Sequence, residues 1–123
     1  MHGVIRWAAP ETLFKYYSSV CSPTEQTDIY SFGRVMLQVC SGKVPYANLK
    51  RDAQVLVALG DTQTPPRPTT PWMNDRMWDF IQRCWSTEEQ GTKRPFAEEA
   101  LNFIQEEIVL SYLCLLPFFD ESE

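Results

Sequence analysis

Apolar residues recur with a helical period along most of the chain, and no stretch alternates with period two for long. The clearest run is Ile29, Phe32, Met36, Val39 and Cys40, on one face of a repeat of about 3.6 residues. Thr24 or Thr27 can cap its start, and Gly42 suits its end. Tyr30, Val35 and Leu37 keep its other face only weakly polar. A helix apolar nearly all round belongs at the centre of a domain. A short helix is predicted over about Arg51–Leu59 with Val55, Leu56 and Leu59 inward. Four prolines between Thr62 and Pro71 then demand an extended connector. Met77, Trp78, Ile81, Cys84 and Trp85 mark a third helix. A polar loop with Gly91 follows, and Pro95 fits the first turn of a fourth helix. The inner face predicted for that helix is Ala97, Ala100, Leu101, Ile104 and Ile108. Before Thr24 the period is lost, which predicts loop with one short helix at Glu11–Lys15. The expected fold is a compact all-α domain of about four helices.

Length and charge sharpen this. At 123 residues the chain suits one domain and not two. Hydrophobic residues make up 44%, enough for a core, so whole-chain disorder is excluded. The net charge of −5 argues against general nucleic-acid binding. All eleven basic residues and nine of the sixteen acids lie up to Pro95, so that part is mildly basic. The acidity belongs to the C-terminal end. The longest apolar run, Ile108 to Phe119, has twelve residues, and a spanning helix needs about 20. No basic-then-apolar signal sequence opens the chain. Cys21, Cys40, Cys84 and Cys114 form no close pair, and the single histidine is His2. No metal site is expected from that set. Reduced core cysteines of a cytoplasmic protein are.

Several chemistries are missing. Phosphate-binding loops need closely spaced glycines so that backbone N–H groups can approach the anion. Here Gly3, Gly33, Gly42, Gly60 and Gly91 are far apart. There is no nucleophile elbow, and His2 has no triad partners in a recognisable pattern. The adjacent acids Glu88-Glu89, Glu98-Glu99 and Glu106-Glu107 point in different directions on a helix and read as solvated faces.

Five short motifs, in order, resemble the C-terminal part of a protein kinase domain. Gly3 to Glu11 is similar to the end of an activation segment, with Ala9-Pro10-Glu11 as the A-P-E motif. Asp28-Ile29-Tyr30-Ser31-Phe32-Gly33 resembles the start of kinase helix αF. Gly42-Lys43-Val44-Pro45-Tyr46 resembles the turn after it. Arg83-Cys84-Trp85 resembles the end of αH, and Lys93-Arg94-Pro95 the lead into αI. The resemblance covers residues 1–108 as a partial kinase domain. Residues 109–123 are a hydrophobic, then acidic tail outside the family pattern. The S-F-G and R-C-W variants lean toward the tyrosine-kinase and tyrosine-kinase-like groups.

The resemblance implies the all-α C-terminal half of a kinase C-lobe, with αF, αG, αH and αI around a buried αF and no N-lobe. It implies structural roles for Ala9, Pro10, Glu11, Asp28, Gly33, Trp85 and Arg94, and that Glu11 meets Arg94. Asp28 either accepts hydrogen bonds from the catalytic loop, as in the family, or caps its own helix. Val4, Ile5, Arg6 and Trp7 are implied as peptide-substrate contacts. Val4 stands where Ser/Thr-type kinases usually have threonine. Phe96 replaces the usual helix-capping Ser or Thr, which predicts fraying at the last helix. The chain has no glycine-rich loop, β3 lysine, H-R-D or D-F-G. It is therefore expected to hold neither catalytic residues nor cofactor, whereas a complete parent would use ATP and Mg²⁺ for phosphoryl transfer to protein Ser, Thr or Tyr. The alternative is a non-catalytic, pseudokinase-like module that binds a protein or peptide partner, without nucleic acid, membrane or metal. Pro65-Pro66-Arg67-Pro68 could offer such a partner a polyproline helix. The tail either folds back over an apolar patch on αF or is appended sequence unrelated to the family.

Overall fold

A computed structural model of the chain describes residues 5–13, 24–87 and 93–119, without the side chains of 112 and 114–119. Val4, Cys21, Gly91 and residues 120–123 lie outside the described residues, as does the Cys114 side chain. Five helices follow in order: α1 Pro10–Leu13, α2 Glu25–Ser41, α3 Asp52–Gly60, α4 Asp75–Cys84 and α5 Ala97–Phe119. No strand occurs among the described residues.

The caps explain where α2 begins and ends. The Thr24 hydroxyl accepts from the Thr27 N–H, and the Thr27 hydroxyl accepts from the Thr24 N–H. This reciprocal box satisfies two N–H groups that a helix start leaves open. At the other end Gly42 takes a left-handed conformation (φ 75°) and donates to Gln38 O. A side chain there would be strained, so glycine stops the helix at that point.

The buried stripe of α2 is not the one that the apolar spacing selects. Ile29, Met36 and Cys40 are buried as expected, but Val39 is 75% exposed. Tyr30 and Leu37, expected on the other face, are buried, as are Gly33 and Arg34. The stripe centres on Gly33 because α4 approaches closest there. A Cβ at that position would lie 2.6 Å from Cys84 Cβ and 3.0 Å from Trp85 Nε1. A residue without a side chain is invisible to a count of apolar positions, so the count rotated the face.

Helix α4 packs most extensively on α2, and α5 adds a lighter layer. The main core joins Ile29, Leu37, Phe80, Ile81 and Cys84. Asn74 caps α4, and Trp85 ends it with its ring edge-on to Trp78 at 5.7 Å. A second, smaller core gathers Tyr46, Val55, Ala58 and Leu59, with Ile5, Leu13 and Leu49 against it. Between α3 and α4 the proline-rich connector has no helix, strand or turn from 63 to 69.

Helix α5 corrects three expectations. Ala97, Leu101 and Ile108 face outward, and the inward face is Ala100, Phe103, Ile104 and Glu107. Stacking of Phe103 on Phe80, with centroids 4.1 Å apart and planes nearly parallel, turns the helix this way. Its start is held without the missing hydroxyl: the Ala97 N–H donates to Glu25 (2.9 Å) and the Phe96 N–H to Glu99 (3.2 Å). Two carboxylates therefore cap the end that Phe96 was expected to leave frayed. The chain also does not turn back after Ile108. Residues 108–116 contain no glycine or proline, and α5 runs on through them to Phe119.

Candidate functional site

The A-P-E segment and the lead into α5 are far apart in sequence and joined in space. Arg94 donates to both oxygens of Glu11, at 2.6 and 3.0 Å. It also donates from Nε to Ser86 O at 2.7 Å and from Nη1 to Gln26 O at 2.9 Å. One guanidinium so ties α1, the start of α2 and the turn after α4. Bidentate, charge-assisted bonds of this kind are the strong ones. Burial alone would raise the Glu11 carboxyl. The Arg94 hydrogen bonds, a local backbone bond and the Arg94 charge outweigh it and hold that carboxyl below its ordinary value. Ala9 is buried beside this tie, and Pro10 opens α1.

The peptide-contact positions divide. Ile5 packs on the α3 core. Arg6 donates to Pro45 O (3.1 Å), Tyr46 O (2.8 Å) and Leu49 O (2.8 Å), and its Nε lies 3.6 Å from Asp52. Its guanidinium is thus committed to holding the α2–α3 connection. Trp7 donates to the Gln38 side chain at 3.0 Å and, with Ala8, Ser31 and Val35, lines an open, mostly apolar groove along α2. Asp28, one turn before Ser31 on α2, is exposed. Asp28 lies in the first turn of α2, where the dipole favours an acid, and the hydrogen-bonded N-cap is Thr24.

The residues lining the groove carry no charged side chain. No cluster of three or more His, Cys, Asp or Glu able to hold a metal ion occurs among the described residues. The described thiols are poor nucleophiles. Burial pushes Cys84 up to about 12 and also raises Cys40, so both stay protonated near neutrality. The P-x-x-P stretch is engaged within the fold. Pro65 is buried, and Arg67 donates to Met73 O (2.9 Å) and pairs with Asp75 (2.7 Å). No helix among the described residues is long and apolar enough to cross a membrane.

Two arginine roles escaped the sequence pattern. Arg6 lies in the motif region, but its carbonyl partners come from a turn about 40 residues on. Arg34 stands inside an otherwise apolar helix with Tyr30 one turn before it, and that was the available signal.

A sequence profile described as protein tyrosine and serine/threonine kinase matches residues 2–104. Over 106 residues the chain is 30% identical to serine/threonine-protein kinase STY46 of Arabidopsis thaliana, covering 85% of the chain and 16% of that protein. It is 33% identical over 94 residues to the probable serine/threonine-protein kinase qkgA of Dictyostelium discoideum, covering 76% and 6%. It is 34% identical over 101 residues to mitogen-activated protein kinase kinase kinase 1 of Arabidopsis thaliana, covering 81% and 15%. The chain thus spans less than a fifth of each of these relatives.

Proposed function

The chain belongs to the protein tyrosine and serine/threonine kinase family, and we propose that these residues are a helical C-lobe portion that binds no ATP by itself. The observation that carries this reading is the Glu11–Arg94 tie. It joins the A-P-E segment to the lead into the last helix within the chain, which supports reading these residues as the scaffold of a C-lobe. The parts that hold phosphates and Mg²⁺ are separate from that scaffold and absent from the sequence. In a longer kinase the same residues would support phosphoryl transfer from Mg·ATP to protein Ser, Thr or Tyr. The S-F-G and R-C-W motifs favour the tyrosine-kinase-like groups. The buried free thiols favour a cytoplasmic setting. Calorimetric titration of the chain with Mg·ATP tests the proposal. No saturable heat is expected, and a saturable isotherm overturns it.

A second reading is favoured by the groove of Trp7, Ala8, Ser31, Val35 and Gln38, with Val39 exposed further along α2. In this reading the chain is a non-catalytic module whose α2 face binds a protein partner. Val35→Glu would then abolish partner binding without lowering Tm. A partner that binds the variant unchanged removes this reading.

A further inference from the structure

Arg34 lies midway along α2 with 1% of its surface exposed. No carboxylate pairs with it among the described residues. A guanidinium does not give up its proton inside a protein, so a full positive charge is buried there. Three aromatic rings box it in. Its central carbon is 4.2 Å from the Trp85 ring centroid, 4.9 Å from Tyr30 and 5.0 Å from Tyr46. Nη2 donates to the Tyr30 hydroxyl and, at 3.2 Å, to the Tyr46 hydroxyl, which itself donates to Gln63 O at 2.6 Å. Arg34 Nε and Nη1 are buried with no hydrogen-bond partner, and so is the indole N–H of Trp85.

Ring faces attract a cation but cannot accept N–H bonds in the guanidinium plane. A buried charge with open donors is costly unless an acceptor, best an anionic one, meets them. We propose that this aromatic box is a binding site for a small inorganic anion of halide size, with one open nitrogen of Arg34 and the Trp85 N–H as donors. A neutral water would satisfy N–H groups but leave the charge unbalanced. An organic acid or phosphate lacks a way in, because Tyr30, Tyr46 and Trp85 are each 5% exposed or less. A halide can enter during small openings of the core.

Chloride-35 NMR line broadening of the full chain, titrated with sodium chloride, tests the site. Saturable excess broadening is expected for the parent chain and not for Arg34→Met. No saturable excess in the parent, or the same excess in Arg34→Met, overturns the proposal and leaves ordinary water in the box. Should Arg34→Met fail to fold by circular dichroism, Trp85→Phe takes its place. It keeps a ring against the guanidinium and removes one donor. About tenfold weaker chloride binding is then expected, and unchanged affinity overturns the assignment.

Discussion

Two buried arginines lie close to the Tyr30 ring, Arg34 at 4.9 Å and Arg94 at 5.0 Å from its centroid. They solve the same problem differently. Arg94 meets a carboxylate and two backbone carbonyls, so both its charge and its N–H groups are answered. Arg34 meets hydroxyls and ring faces, and two of its nitrogens are left open. Both gather distant segments, but Arg94 does so through N–H bonds to oxygens, and Arg34 mainly through the ring faces of Tyr30, Tyr46 and Trp85. Burial alone therefore does not rank a charged side chain. What ranks it is the set of groups stranded when it is removed. That difference sets the order of effects when each is changed.

The largest loss is expected at Arg94. Arg94→Met keeps much of the volume but removes both bonds to the Glu11 carboxylate and strands the carbonyls of Ser86 and Gln26. Breaking one side of a well-buried pair costs about 3–5 kcal/mol. Glu11 is 39% exposed at its side chain, so water recovers part of that, and a loss of about 3 kcal/mol is expected. Urea unfolding measures it. A loss below about 1 kcal/mol, the range of surface pairs, would place this tie among ordinary surface contacts.

A smaller effect is expected from the other side of the pair. The Glu11 carboxyl titrates below its ordinary value of 4.5 in the folded chain. Its stabilising contribution is therefore complete above that value, where the unfolded chain is also ionised. It is lost as pH falls through the lower folded value. Tm should drop between about pH 5 and pH 3 in the parent chain. In Glu11→Gln that drop should be shallower, and the variant should cost about 1–2 kcal/mol at neutral pH, since an amide oxygen still accepts from Arg94. Parallel Tm–pH curves for the two proteins would show that the acid sensitivity arises elsewhere, for instance at Glu99, which Arg83 also holds below its ordinary value.

The same contrast explains what was legible in the sequence. Glu11 and Arg94 lie in short, fixed motifs, and the resemblance to protein kinases implied that the two meet. Helix positions were legible too, because α2 and α4 have strong caps and apolar periods. The rotation of α2 was not. It depends on Gly33, whose contribution is the absence of a side chain, and on Arg34, whose burial depends on rings from Tyr46 and Trp85 elsewhere in the chain. The outward turn of Leu101 and Ile108 was hidden for a like reason. One ring stack, Phe80 on Phe103, outweighs the apolar count along α5. Ile5 and Arg6 looked available to a peptide because their partners in the α3 core and the Pro45–Leu49 turn are distant in sequence.

The smallest effect is expected at Arg34 itself, although it is the more deeply buried of the two arginines. Replacing a buried charge by an apolar residue of similar volume is often neutral, because the charge's own desolvation cost disappears with it. Arg34→Met strands the Tyr30 hydroxyl and loses the three ring contacts. It also removes the two open donors and the unbalanced charge. In chloride-free buffer its unfolding free energy should stay within about 1 kcal/mol of the parent. Adding chloride should then widen the gap, since an anion that binds only the folded parent raises the parent's stability and leaves the variant where it was. A loss of about 3 kcal/mol without chloride would mean that the hydroxyls and rings already stabilise Arg34 as fully as Glu11 stabilises Arg94. The distinction between the two arginines would then rest on partner identity and not on energy.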